Sequence, residues 1–418
     1  MMTASLDLSV ELAVLLAAAV VLASVLISPL ATRLGAPILL LFLGVGMLVG
    51  QDGPGGFVFD DFELVYDIGS IALAVILFAG GLGTRVGDIR VAWGPALALA
   101  TLGVAVTAGA VGLAAWAAGW PLFVALLLGA VIGSTDAAAT FLLLQGRGIR
   151  LRGRVMETIV VESGLNDPMA IFLTLTLVAI VDAGGGADSL SWALAGSFAQ
   201  QIGLGAAAGI LGGLLLGLLI SRLRLADGLY GVLALAAALT VFEGTQLAGG
   251  SGYLAVYLCG VLAMHRATGR RRDELDITHG SLAWLSQILM FLLLGILVTP
   301  SELAAETLVA AGVAAVLIVV ARPVAVGLCL LPFRYTLKER LFIAWVGLRG
   351  AVPIFLAIIP VLSPGPIATD FFNIVFLVVI ASLVLQGWTI PWLARRLDLE
   401  APADATARTP ADSDPLRP

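Results

Sequence analysis

Gly, Pro and charged residues cut the chain into long apolar runs near 9–30, 36–50, 65–83, 92–118, 121–145, 155–182, 191–221, 226–246, 250–266, 280–299, 303–333, 339–361 and 368–394. A hydrocarbon core of roughly 30 Å takes about 20 apolar residues to cross and offers the backbone no hydrogen-bond partners, so runs of this length predict helices. The pattern predicts an all-α polytopic membrane protein with about 13 transmembrane helices.

Basic residues test that count. With thirteen spans, alternate loops hold Arg33; Arg85 and Arg90; Arg147, Arg150, Arg152 and Arg154; Arg222 and Arg224; Arg266, Arg270, Arg271 and Arg272; Arg334, Lys338 and Arg340; and Arg395 and Arg396. The remaining loops carry no Lys or Arg and hold acids such as Asp52, Asp60, Asp61 and Glu63. The positive-inside rule then places the N-terminus outside and the C-terminus in the cytoplasm. The start, MMTASLDLSVE, lacks the basic region and cleavage pattern of a secretory signal, so the first run is expected to remain as a span. Residues 1–398 read as one transmembrane domain and 399–418, rich in Ala, Pro and Asp, as a disordered cytoplasmic tail.

Composition agrees: 60% of residues are hydrophobic and 12% charged, so a soluble domain is excluded. The net charge of −6 adds little, because in a membrane protein the placement of Lys and Arg matters more than their sum. Cys259 and Cys329 lie in apolar runs away from any ligand spacing and read as packing, and His265 and His279 read as solvated residues at the cytoplasmic boundary. No nucleotide-binding motif or soluble catalytic domain is visible, so no cofactor, nucleic-acid partner or enzymatic activity is expected, and energy would come from ion gradients.

Five charged residues fall inside apolar runs: Asp136 in GSTDAAATF, Glu162 and Asp167 in ESGLNDPMAIF, Arg322 in VVARPVAVGL and Arg349 in GLRGAVPIF. Left unpaired, each would cost about 2.5 to 3.5 kcal/mol, so they must pair or face a water-filled cavity, which marks them as candidates for an ion pathway. Ser163, Asp167, Ala170 and Thr174 share one helical stripe, with Glu162 and Asn166 one residue round the helix. Pro168 cannot bond the Gly164 carbonyl, which frees an oxygen near Asp167. The Gly and Pro of 133–137 and 347–353 predict two discontinuous helices, whose ends would point partial charges at the midplane. These breaks lie seven spans apart, an offset that reverses orientation, so the fourth to sixth spans would form an inverted repeat with the eleventh to thirteenth. Glu162 and Arg322 read as a structural ion pair, and Arg349 either as a cap on broken-helix carbonyls or as a substrate contact.

ESGLNDPMAIFLT, with GSTDAAATF before it and GLRGAVPIFLA after, resembles the NhaP-type monovalent cation/proton antiporters of the CPA1 class, and looks most like the bacterial potassium/proton branch. The likeness covers nearly the whole chain through the last span. It implies that Asp167 alternately holds a proton or the cation, that Asn166 orients the broken helices, and that Thr135, Asp136 and Ser163 complete the cation's oxygen shell. It also implies Glu162 paired with Arg322, Arg349 holding the crossing, a homodimer in the bacterial inner membrane serving pH homeostasis, and, from the Asn-Asp pair, electroneutral exchange. Two departures stand out: Ala79 in VILFAGGLGTR replaces a usual acid, and only a short polar segment follows the last span, so regulation through a cytoplasmic domain is not expected.

The expected function is exchange of K⁺ or Na⁺ for H⁺ by competition at one carboxylate with alternating access. The alternatives are a cation channel or uniporter on the same acids, a symporter for an organic anion bound by Arg322 and Arg349, and an intramembrane enzyme using Ser163. The last lacks a histidine within a span to activate the hydroxyl.

Overall fold

The computed structural model describes residues 18–27, 37–84, 86–145, 147–184 and 192–401 together with Leu15 and Pro29. The parts of the first run before residue 15 and the tail from 402 onward lie outside the described residues.

Among the described residues the chain is helical apart from two isolated bridges. The helices are α1 (Ala18–Ile27), α2 (Ile38–Val49), α3 (Phe62–Gly83), α4 (Val86–Ala98), α5 (Val104–Ala117), α6 (Leu122–Val131), α7 (Ala137–Gln145), α8 (Gly153–Asp182), α9 (Trp192–Arg222), α10 (Leu229–Leu247), α11 (Gly252–Arg266), α12 (Arg270–Ile296), α13 (Leu303–Val316), α14 (Arg322–Cys329), α15 (Leu337–Trp345), α16 (Ala351–Leu356), α17 (Ile358–Leu362) and α18 (Thr369–Arg396). Eight helical stretches of this set are long and apolar enough to cross a membrane. The chain is therefore a multi-pass membrane protein.

Packing sorts the helices into two groups. α11 lies against α9 and α3, and α12 against α3 and α2, whereas α8 packs on α4 and α6, and α13 on α18. The second group carries the inverted repeat in its irregularities. A π turn, Leu99–Gly103, joins α4 to α5, and another, Leu317–Ala321, joins α13 to α14. Each π turn packs on the other repeat's helix, α14 on the first and α5 on the second. Such turns commonly mark functional positions. The spans between and after them are broken, α6 from α7 and α15 from α16, while α8 runs unbroken through Pro168.

One reading needs correction. α12 starts at Arg270, ten residues before the apolar run, so His279 lies within a helix and is 1% exposed, its ring edge-on to Phe78 at 5.0 Å. The helix extends because its basic first turn has partners: Arg270 pairs with Asp227 at 2.6 Å, and Arg271 donates to the carbonyls of Ile220 and Ser221 at the end of α9. His265 is exposed.

Beyond α18 the chain turns through Asp398, at φ 58°, and pairs with the loop between α7 and α8. The Arg152 amide donates to the Leu399 carbonyl at 3.1 Å and the Ala401 amide to the Arg150 carbonyl at 2.7 Å. Leu399 is buried.

Candidate functional site

Gly133 in one broken span, and Gly347, Gly350 and Pro353 in the other, disfavour continuous helix, and between the half-helices the backbone is non-helical. The two non-helical stretches meet, with the Asp136 amide donating to the Leu348 carbonyl at 2.7 Å. Arg349, fully buried, donates from Nη1 to the carbonyls of Gly133, at 2.7 Å, and Ser134. Its fixed charge thus sits at the carbonyl end of α6, where the helix dipole is negative. The Arg349 amide donates in turn to Ser382 Oγ at 3.1 Å, and Ser382 donates to Gln386.

α8 braces this crossing from two adjoining stripes, with Ser163 on one and Asn166 on the other. Ser163 Oγ donates to the Thr135 carbonyl at 2.7 Å and accepts the Ala137 amide at 3.0 Å. Asn166, fully buried, donates from Nδ2 to Thr135 Oγ1 at 2.6 Å. The Asp136 carboxylate caps α7 by accepting the Ala139 amide at 3.0 Å. Thr135 and Ser163 each keep a free acceptor position, since a hydroxyl oxygen carries two.

Glu162, on the neighbouring face, is joined to Arg322 by a two-pronged contact, Nη1 to Oε1 at 2.7 Å and Nη2 to Oε2 at 3.0 Å. Both side chains are buried, 1% and 4% exposed.

Asp167 is 8% exposed, and its Oδ1 has no hydrogen-bond partner among the described residues. Ser134 and Asp136 are its polar neighbours. A cavity of about 960 Å³ reaches it, lined at the deep end by Thr135, Asp136, Ser163 and Asp167, and towards the other end by Leu151, Gly153, Glu157 and Trp284. Ala79 lines this cavity as well. The crossing therefore gathers Thr135, Asp136, Ser163, Asn166, Asp167 and Arg349, and brings four of them to one cavity. Glu162 and Arg322 lie off it. Hard oxygen donors around a buried carboxylate suit a monovalent cation or a proton.

Three contributors are absent from the sequence reading. Ser382 and Gln386 support the Arg349 backbone, and Tyr257 of α11 lies against Gly164 of α8 with its hydroxyl 3.4 Å from Thr84 Oγ1. The one available signal was a Ser and a Gln four residues apart in an otherwise apolar run.

Residues 17–396 match the family of transmembrane sodium/hydrogen exchangers. The chain is 48% identical over 376 residues to the K⁺/H⁺ antiporter NhaP2 of Shewanella oneidensis, an alignment that covers 90% of this chain and 65% of that one. It is 47% identical over 379 residues to the K⁺/H⁺ antiporter NhaP of Alkalimonas amylolytica, with the same 90% and 65% coverage. It spans about 65% of the length of these curated relatives. The solved sodium proton antiporter MjNhaP1 from Methanocaldococcus jannaschii has the same fold, with a TM-score of 0.75 at 23% identity over 91% of this chain and 100% of that one.

Proposed function

Because the chain belongs to the transmembrane sodium/hydrogen exchanger family, we propose that it exchanges a monovalent cation for protons at Asp167 by alternating access. The observation that carries this reading is the unpartnered Asp167 Oδ1, buried beside Asp136 at the end of a large cavity. A carboxylate held there needs a positive partner, and a proton and a metal cation compete for the same oxygens. Obligatory exchange follows from that exclusivity.

Asp136, Thr135 and Ser163 supply the other oxygens of the shell, Asn166 fixes Thr135, and Arg349 and the Glu162–Arg322 pair hold the broken helices in place. The names of the relatives favour K⁺ as the cation, with Na⁺ the second choice. The cavity mouth adjoins the basic loop of Arg147, Arg150, Arg152 and Arg154, so the N-outside, C-inside orientation makes this the cytoplasm-facing state. Electroneutral stoichiometry, a homodimer in the bacterial inner membrane and a role in pH homeostasis complete the proposal.

An organic-anion symporter is disfavoured, since Arg322 and Arg349 are turned to Glu162 and to backbone carbonyls. In proteoliposomes carrying Na⁺, K⁺ or Li⁺ gradients across a range of pH, the protein should move protons in exchange for cation, and Asp167→Asn should abolish this. Undiminished exchange by Asp167→Asn would falsify the assignment. Cation flux without obligatory proton exchange would favour a channel.

A further inference from the structure

α3 carries Phe62, Tyr66, Gly69 and Leu73 on one face, at i, i+4, i+7 and i+11, and the first three of them meet rings of α16 and α18. The halves of that face differ. From Leu73 to Thr84 it lines the cavity, and Ala79, Gly80 and Gly83 leave it open. Before Leu73 it is covered by rings. Tyr66 stacks on Phe355 with centroids 5.3 Å apart and planes at 4°, and Phe62 meets Phe372 edge-on at 5.5 Å and 83°. The Phe355 ring also lies over Gly69, where a Cβ would stand 2.8 Å from two of its carbons. Phe355 and Phe372 are each 1% exposed.

These contacts join the two packing groups. α3 is fixed to α11 and α12, while Phe355 rides on α16 and Phe372 on α18, with the crossing that holds Asp136. Phe355 is also two residues beyond Pro353, at the deep end of the cavity lining. The rings thus begin where the cavity stops, and they are borne by elements that alternating access would have to move past each other.

We propose that the Tyr66–Phe355 stack seated on Gly69, backed by Phe62 against Phe372, is the closure that seals Asp167 from the side opposite the cavity mouth. The closure parts when the site is presented to that side. It rests on the exchange reading. Gly69 is required because any side chain there would lift the ring off α3, and apolar rings suit the task because they shut out water without forming bonds that each cycle would have to break.

The test reads access directly. Cys259 and Cys329 are replaced by Ala, Val352, which lines the cavity, is changed to Cys, and a membrane-impermeant maleimide is applied to right-side-out or to everted vesicles. In this parent, labelling is faster from the mouth side. Phe355→Ala should raise labelling from the opposite side by about tenfold, equivalent to about 1.4 kcal/mol. Phe355→Tyr should keep it slow, and Gly69→Ala should raise it. Unchanged far-side labelling in Phe355→Ala protein that elutes as the parent does overturns the closure, as does a parent labelled equally from both sides. Should Phe355→Ala not fold, Gly69→Ala and Phe372→Ala decide by the same readout. Labelling needs no transport, so active exchange in Asp167→Asn would overturn the functional reading and leave this result standing.

Discussion

Asp136 and Gly350 touch at the crossing of the two broken helices, where the carboxylate of one fills the space that a Cβ on the other would need. Gly350→Ala must therefore push Asp136 away from Asp167 or pry the half-helices apart. Overpacking of this kind costs about 1–3 kcal/mol. The variant should melt earlier than wild type and lose most of its exchange rate in proteoliposomes. A wild-type rate would mean that Asp136 is not needed in its observed place.

Removing one member of a buried ion pair strands the other, at about 3–5 kcal/mol, whereas an apolar pair of similar size is often neutral. Glu162→Gln and Arg322→Met are each expected to destabilise the protein strongly. The double variant Glu162→Leu/Arg322→Met should recover most of the loss in detergent melting curves. If the two losses simply add, the pair contributes no coupling and its role in holding α8 to α14 fails.

A smaller effect belongs to the loops. The hydroxyl and amide of Ser301, the latter 2.7 Å from Asp52 Oδ2, hold this exposed carboxyl below the ordinary aspartate value of 3.8. A depressed folded value means that the stabilisation is present above the unfolded value and is lost as pH falls through the folded one. Asp52→Asn should thus lower the melting temperature slightly at neutral pH and not at all in strong acid. A pH-independent difference would contradict the assignment.

Ala79→Glu places an acid on the cavity wall. A carboxylate there raises the local cation concentration and should lower the apparent KM for the transported ion by about tenfold, or about 1.4 kcal/mol. Ala79→Gln should not. Equal KM values for the two variants would show that the position does not face the ion's path.

Much of this arrangement is legible in the sequence, and for a physical reason. Charges such as Asp136, Asp167 and Arg349 stand out because an apolar run makes each one expensive, and the breaks stand out because Gly133, Gly350 and Pro353 are poor helix formers. His279 was misplaced because Arg270–Arg272 look the same in a loop and in a helix extended by ion pairs. Ser382 and Gln386 passed unnoticed because neutral polar side chains cost far less than charges. The Tyr66–Phe355 contact could not be read at all. Periodicity within one helix tells which face is apolar, and nothing about which distant ring will meet it.

The Glu162–Arg322 pair also imposes a timetable on synthesis. Its members are 160 residues apart, and chains grow at about 5–20 residues per second, so Glu162 is made roughly 8–32 s before its partner. During that interval α8 carries a charge that the finished protein neutralises only with a helix not yet translated. Until then the apolar residues around Glu162 must offset the about 2.5–3.5 kcal/mol that one unpaired charge costs within a membrane, a cost that the finished pair removes.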